Sequence, residues 1–303
     1  MGRQRALTAV PFAEREFDRT QDLPRFLDLV SDARASGHPH AFLHAGGLQW
    51  LLRRLGRESF RVSLLTDGDL LAGFAIDDAG YVIAQAAGRS VDQHLRLLAA
   101  SEARIRARGG VEIEVSVWDD DSELRAALAS SGFEASGTYG HELVTPAADR
   151  ELALPEGFSM GWLEPTLDDA YVELHRDAWS ARGPSPYNSA AHAAVVAMPD
   201  FDRHLVPIAI APDGTLAAYC IGWFDPRTRT VEIEPLGTRP SFRRRGLARA
   251  IVDEVVRRSA ERGATSVLVW GVSTNAPAVA LYESSGFRSQ RILREFRRKL
   301  EPG

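Results

Sequence analysis

Apolar and polar residues along the second half of the chain follow an ordered series of helix and strand patterns. The spacing predicts a helix over residues 166–180, with Thr166 and Asp169 as a capping box, and a second helix at SAAHAAVVAM. Runs at VPIAIA, LAAYCIGWF and TVEIEPLGT predict three strands. Apolar residues at helical spacing predict a longer helix over residues 246–262. This half is therefore expected to fold as a mixed α/β domain.

A repeat relates the two halves of the chain. RGGVEIEVSVWDDDSELRAALASSGF ends at Phe133 and RGATSVLVWGVSTNAPAVALYESSGF ends at Phe287, an offset of 287 − 133 = 154 residues. Each segment predicts a strand, a loop, a helix and a turn into another strand, and a repeat this long indicates a duplicated domain. We expect two α/β domains, residues 1–146 and 147–303, each a twisted mixed sheet flanked by helices.

Composition limits the kind of protein. A formal net charge of −5 argues against a nucleic-acid binder, and the single cysteine, Cys220, allows no intrachain disulfide. No apolar run reaches the roughly 18 residues of a membrane helix, and MGRQRALTAVPF is too poor in apolar residues for a signal peptide. The histidines show no metal-ligand spacing. We expect a cytoplasmic protein without a metal, a monomer or homodimer, that has neither a nucleic-acid nor a membrane partner.

A basic, glycine-containing turn lies between a predicted strand and the helix over residues 246–262. It consists of Arg243, Arg244, Arg245, Gly246, Leu247 and Ala248. Glycine allows close approach of a ligand to the backbone, and the N–H groups and positive dipole end of a helix N-terminus bind anions. Arginines beside the turn add positive charge for phosphates. The alternative is a solvated basic helix start.

Two motifs together resemble the GNAT acetyltransferase superfamily. The turn fits the Q/R-x-x-G-x-G/A acyl-CoA motif, with Ala248 in place of the commoner second glycine. Residues 275–287, NAPAVALYESSGF, are similar to N-x-x-A-x-x-L-Y-x-x-x-G-F. The resemblance covers roughly residues 157–300 and implies a tandem GNAT protein that uses acetyl-CoA as co-substrate and acetylates the amine of a small molecule.

The resemblance also implies roles for individual residues. The backbone amides of residues 244–248 would cradle the CoA pyrophosphate, and the main chain at Leu236 and Thr238 would pair with the pantetheine arm. Asn275 would hold the pantetheine or position its loop. Tyr282 would protonate the departing thiolate, as a phenol can do. Trp179, Tyr187 and Asn188 lie where such enzymes shape the acceptor pocket, although ordinary core and turn positions explain them equally well.

Glu232 and Glu234 are candidates for the catalytic base. Residues two apart on a strand point to one face, so both carboxylates are expected on the same side. Pro235 indicates a bulge or broken pairing that would open the sheet beside Glu234. We therefore favour Glu234 as the group that accepts the amine proton, with Glu232 as the second choice. Both carboxylates would also attract a cationic acceptor.

The first half lacks the residues of these motifs. With the offset of 154, Tyr282 maps to Leu128, Asn275 maps to Asp121, and the basic turn maps to residues 89–94, which contain Asp92 and no glycine. The first half is therefore expected to have lost its cofactor site and to brace the second half or wall its acceptor pocket. A protein or peptide N-acetyltransferase and a noncatalytic acyl-CoA sensor remain alternative functions.

Overall fold

The computed structural model describes residues 12–88 and 90–301, without the side chain of Arg182. Residues 1–11, which the signal-peptide prediction concerns, lie outside the described residues. So does Arg89, the first residue of the predicted counterpart of the basic turn. Within the described ranges, no helix is long and apolar enough to cross a membrane.

The first half folds into helices and strands that alternate along the chain. Aspartates begin two of the helices: Asp18 accepts hydrogen bonds from the N–H groups of Thr20 and Gln21, and Asp121 accepts one from Leu124. The elements are β1 (Ala13–Glu16), α1 (Arg19–Ala35), α2 (Ala45–Leu52), β2 (Phe60–Asp67), β3 (Leu70–Asp78), β4 (Tyr81–Ala86), α3 (Val91–Ala107), β5 (Glu112–Trp118), α4 (Ser122–Ser130) and β6 (Glu134–Pro146).

The second half repeats the alternation. Its elements are β7 (Ser159–Trp162), α5 (Asp168–Trp179), α6 (Ser189–Val196), β8 (Pro207–Ile210), β9 (Leu216–Asp225), β10 (Thr230–Thr238), α7 (Leu247–Glu261), β11 (Ser266–Val272), α8 (Ala276–Ser284) and β12 (Arg288–Lys299). The predicted capping box at Thr166 is wrong, because a 3-10 turn precedes α5 and Leu167 is the N-cap, without a side-chain hydrogen bond. The Asp168 carboxylate instead accepts two hydrogen bonds from Arg203.

The repeat is confirmed element by element. β5, α4 and β6 begin 154 residues before β11, α8 and β12, since 266 − 112, 276 − 122 and 288 − 134 all equal 154. The helices α3 and α7 are related by a different offset, because 247 − 91 equals 156. The counterpart of the basic turn is therefore residues 87–92 rather than 89–94. In this register Gly246 corresponds to Ser90, and Gly88 does not fall at the turn position.

One mixed sheet of twelve strands runs through the described part of the chain, in the order β1-β2-β3-β4-β5-β12-β6-β11-β10-β9-β8-β7. The last strand of each half crosses to the other half: β12 lies between β5 and β6, and β6 lies between β12 and β11. The predicted α/β class with mixed sheets and flanking helices is confirmed. Because of this exchange the halves share hydrogen bonds at the centre of the sheet. The division at residues 146 and 147 stays a prediction.

A shared hydrophobic core also joins the halves. Phe26, Leu48 and Trp50 of the first half belong to the same buried cluster as Tyr171 and Trp223 of the second half. α2 approaches β9 and β10 closely through two glycines. A Cβ atom on Gly46 would lie 2.2 Å from Cβ of Trp223, and one on Gly47 would lie 2.8 Å from Oε2 of Glu232. The N-terminal end of α2 is thereby held against β9 and β10.

Candidate active site

Strands β10 and β11 diverge and leave one edge of β10 open. They pair in parallel only between residues 230–232 and 266–268. The ladder between β10 and β9 is interrupted between Ile233 and Leu236, where the Glu234–Pro235 peptide bond is cis. Leu236 and Thr238 pair with β9 on one side and have no ladder partner in β11 on the other. An extended ligand can therefore lie along this edge as an added strand.

The turn before α7 is shaped to bind an anion. Gly246 is the N-cap of α7 with φ 84°, and Arg244 has φ 64°. Left-handed residues in such a turn direct successive N–H groups to one side, and no side chain caps the helix. A Cβ atom on Gly246 would meet nothing within 4 Å. Leu247 is buried and anchors the helix, while Ala248 is half-buried.

The three arginines of this turn differ in their surroundings. Arg243 donates hydrogen bonds to the backbone oxygens of Thr238, at 3.2 Å, and Ala178, at 2.8 Å, and so fastens the turn to the ends of β10 and α5. Arg244 is exposed and has no ion pair within the described chain, and Arg245 lies over the Phe242 ring at 5.5 Å. The exposed side chains of Arg244 and Arg245 are therefore those that can turn toward a phosphate.

Across the gap, α8 presents Tyr282 and Asn275. Tyr282 is buried, and its ring packs 5.9 Å from that of Phe287, centroid to centroid. Burial raises the pKa of the Tyr282 phenol, and the negative charge of Glu234 raises it further. The phenol therefore stays protonated and can donate a proton to a leaving group. Asn275 is the N-cap of α8, but its side chain makes no capping hydrogen bond.

The two glutamates of β10 both face α2 but lie in different environments. Glu232 is 2% exposed, with its Oε2 3.4 Å from Nδ1 of His44. Within the described residues this oxygen has no hydrogen-bond partner, and the start of α2 covers it. Glu234 is half-buried and lines a cavity of about 300 Å³. Glu234 is therefore the glutamate that an acceptor in this cavity would meet.

Both halves of the chain build the cavity. The first half provides the end of α2 and the turn after it, and the second half provides α5, the loop after it and the irregular part of β10. The lining residues are Trp50, Arg53, Arg54, Arg57, His175, Trp179, Gly183, Pro184, Ser185, Pro186, Tyr187, Glu234 and Pro235. The first half thus walls the cavity, one of the two roles expected from the sequence.

Aromatic side chains form one wall of the cavity. Tyr187 stacks on His175 with ring centroids 3.9 Å apart, and Trp179 donates a hydrogen bond to the Tyr219 hydroxyl at 3.0 Å. Burial, together with the charge of Arg53, lowers the pKa of His175 to about 3, so this ring is neutral. Asn188 is not among the lining residues: its side chain caps α6 by accepting a hydrogen bond from Ala191 N–H at 2.9 Å.

Three arginines that the sequence analysis did not single out also line the cavity. The Arg53 guanidinium lies 3.5 Å above the Trp50 ring. Burial and the charge of Arg54 lower the pKa of Arg53 to about 9, which leaves it charged at neutral pH. Arg54 pairs with Asp78. The Arg57 guanidinium has no hydrogen bond or ion pair within the described chain. LLRRLGR is visibly basic in the sequence, but only the packing of α2 on β10 places it here.

These arginines bring positive charge to the cavity that the sequence analysis did not foresee. Glu232 and Glu234 were expected to attract a cationic acceptor. Glu232, however, is sealed beneath α2. In the cavity itself, the three arginines outnumber Glu234.

In the first half, the chain itself occupies the corresponding gap. β4 and β5 pair only at residues 81–82 with 114–115 and then diverge. Segment 38–42 crosses this opening: the ring of His38 contacts the oxygen of Gly88 at 3.3 Å, and Trp118 donates a hydrogen bond to the oxygen of Ala41 at 3.0 Å. His40 pairs with Asp121, the counterpart of Asn275. Among the described residues, no group of histidine, cysteine or acidic side chains is arranged to hold a metal ion.

Comparisons with known proteins agree with this geometry. Residues 168–287 match the model of the Acetyltransferase (GNAT) family. A mycothiol acetyltransferase of Clavibacter michiganensis is 28% identical over 191 residues, which span 61% of this chain and 62% of that protein. One of Streptomyces avermitilis is 27% identical over 285 residues, 84% of each chain. Residues 168–287 are therefore those of a GNAT acetyltransferase domain.

The tandem arrangement of the two halves also has a solved counterpart. A tandem GNAT protein from the clavulanic acid biosynthesis pathway superposes with a TM-score of 0.65, covering 97% of this chain and 100% of that one at 15% identity. At this identity the likeness concerns the fold. The predictions of a tandem GNAT protein and of an acyltransferase are confirmed. The roles of individual site residues remain predictions.

Proposed function

We propose that this GNAT protein transfers the acetyl group of acetyl-CoA directly to the primary amine of a small molecule, with both substrates bound at once. One observation carries the proposal: the open edge of β10 runs from the anion-binding turn at Gly246 to the cavity that contains Glu234. A long, phosphate-bearing thioester can lie along the edge while its acyl end reaches the cavity.

The binding of acetyl-CoA follows from the chemistry of the two ends of this edge. The N–H groups of the turn and the exposed Arg244 and Arg245 suit the pyrophosphate. The open backbone at Leu236 and Thr238 offers hydrogen bonds to the amides of the pantetheine arm. Asn275 faces the arm from α8, with a side-chain amide that no helix cap uses.

The transfer requires two proton movements. The amine nitrogen attacks the thioester carbonyl carbon, and Glu234 accepts the proton that the nitrogen loses, directly or through a water molecule. The tetrahedral intermediate then collapses, and the C–S bond breaks. The departing thiolate takes the proton of the Tyr282 hydroxyl, which solvent later restores. The products are the N-acetylated acceptor and CoA.

The names of the two relatives support an acetyl donor and a small acceptor, and the cavity volume of about 300 Å³ suits a small molecule. The test is release of free CoA from acetyl-CoA by the full-length protein with a panel of small amines, amino sugars, amino acids and peptides, with mass spectrometry of the product. A reaction without acceptor measures hydrolysis. Acetyl-CoA binding without transfer to any amine would indicate a sensor, and transfer to peptides alone would indicate a peptide acetyltransferase.

A further inference from the structure

We propose that the acceptor carries an anionic group, a carboxylate or a phosphate, in the same molecule as its amine, and that Arg53 and Arg57 bind this group. The inference rests on the proposed function and specifies its substrate class. It also assigns a task to the first half of the chain, which supplies both arginines.

The charges that line the cavity are divided between its walls. Arg53, Arg54 and Arg57 lie on the wall formed by the end of α2, and Glu234 lies on the wall formed by β10. Arg54 has its own counterion in Asp78. Among the described residues, no carboxylate forms an ion pair with Arg53 or Arg57, although the charge of Glu234 acts on Arg53. A substrate anion would provide the missing partner.

Both arginines can accept such a partner without losing the contacts they have. Arg53 donates one hydrogen bond to the backbone oxygen of Trp50 and rests on the Trp50 ring, so its position is fixed while other N–H groups remain for a ligand. The Arg57 guanidinium, half-buried, has no hydrogen bond or ion pair to a described residue. A guanidinium presents its N–H groups in a planar fork that matches the oxygens of a carboxylate or a phosphate.

The same charges act against other acceptors. An acceptor that carries only ammonium groups, such as a polyamine, would be repelled by Arg53, Arg54 and Arg57 and attracted by Glu234 alone. An acceptor with an anion at one end and an amine at the other fits both walls. Its anion lies against the arginines and its amine lies toward Glu234, next to the open edge of β10.

The test compares acceptors that differ only in the anion. L-Phenylalanine is matched with L-phenylalaninamide for the carboxylate, and glucosamine 6-phosphate with glucosamine for the phosphate, each measured as kcat/KM with saturating acetyl-CoA. At least one anionic acceptor should exceed its neutral match by about 10- to 100-fold, as expected for hydrogen bonds to a charged group. The pair that shows the preference identifies which anion is bound. Equal or better use of the neutral member in both pairs overturns the proposal.

A variant pair assigns the effect to the cavity. Arg57→Gln should raise KM for the preferred anionic acceptor by about tenfold or more and leave that for the neutral match within about twofold, and Arg57→Lys should recover part of the loss. Arg96→Gln is the control, because Arg96 is exposed on α3 and does not line the cavity. If Arg57→Gln leaves both the circular dichroism spectrum and the KM for the anionic acceptor unchanged, Arg57 does not bind the anion.

A binding measurement separates this inference from the proposed function. Acetate and inorganic phosphate are titrated into the full-length Gly246→Asp protein, whose turn before α7 should no longer bind phosphate. Binding is followed by tryptophan fluorescence, to which Trp50 and Trp179 of the cavity contribute. Saturable binding that Arg57→Gln weakens and Arg96→Gln does not supports the anion site even if no amine is acetylated. Absence of saturable binding of both anions, together with no preference in the paired acceptors, overturns it.

Discussion

Replacement of Gly246 by aspartate tests the anion-binding turn most directly. A carboxylate would lie among the N–H groups expected to hold the pyrophosphate. Two unit charges 4 Å apart repel by about 1 kcal/mol in water and by about 4 kcal/mol at an effective dielectric constant of about 20. Since about 1.4 kcal/mol is a factor of ten, acetyl-CoA should bind roughly fivefold to several hundredfold more weakly. Salt should reduce the difference, because the turn is exposed.

The structure offers a matched control for this substitution. Gly263 follows the other end of α7 with φ 81°, close to the φ 84° of Gly246, and a Cβ atom at either position would meet nothing within 4 Å. Gly263→Asp therefore imposes the same backbone strain, of about 1–2 kcal/mol, without placing charge at the turn. Gly246→Ala adds the strain at the turn without the charge.

Isothermal titration calorimetry with acetyl-CoA distinguishes the variants, and thermal unfolding shows whether each is folded. The unmodified protein and Gly263→Asp should bind acetyl-CoA with equal and highest affinity. Gly246→Ala should bind it more weakly, and Gly246→Asp should bind it most weakly. If Gly246→Asp is folded and binds acetyl-CoA as tightly as Gly263→Asp does, the turn before α7 is not the pyrophosphate site.

Three further predictions concern protons. Glu234→Gln should lower kcat by roughly 10²–10⁴-fold with little change in acetyl-CoA affinity, and a larger loss of kcat in a folded Glu232→Gln protein would transfer the role of base to Glu232. Tyr282→Phe should lower kcat by a similar factor. If kcat, measured from the release of free CoA, stays within about twofold of that of the unmodified protein, Tyr282 is not the acid. Burial lowers the pKa of His94 and of His175 to about 3, below the value of about 6.5 expected when unfolded. The unfolded chain therefore binds more protons below that pH. The free energy of unfolding should fall as pH decreases from about 6.5 toward 3, by at most about 1.4 kcal/mol per histidine per pH unit. Denaturant titrations that show no decline over this window would contradict the neutral, buried rings.

The sequence predicted the parts of the molecule that depend on local pattern. The strand, helix and strand of each repeat follow from apolar periodicity and the glycine turns at Gly132 and Gly286. Helices α1 and α2 were not predicted, because α1 contains Pro24 and the first turn of α2 contains two glycines, and both residue types are unfavourable in a helix. Those glycines are needed for contact with β9 and β10, a tertiary constraint that leaves no periodic signal in the sequence.

The candidate site likewise has parts that the sequence predicts and parts that it does not. The turn at Gly246 and the positions of Tyr282 and Asn275 could be found from spacing, since each belongs to one continuous segment. The cavity could not, because Arg53 is about 180 residues away from Glu234 in the sequence, and only the packing of α2 across the other half brings them together. The positive charge in the cavity could therefore not be foreseen from β10 alone.

The chain is also expected to bind one acetyl-CoA rather than two. In the first half, Ser90 stands where Gly246 stands in the second, and Asp92 lies in the first turn of α3, where its charge opposes a pyrophosphate. Segment 38–42 crosses the gap between β4 and β5, with His38, His40, Ala41 and Phe42 all buried. A pantetheine arm would have to displace these side chains and expose them to water. Calorimetric titration should therefore give one acetyl-CoA per chain, and Gly246→Asp should reduce that single site without revealing a second. A stoichiometry of two in the unmodified protein, or a full-affinity site that persists in Gly246→Asp, would show that segment 38–42 yields to the ligand and that the first half has kept its cofactor site.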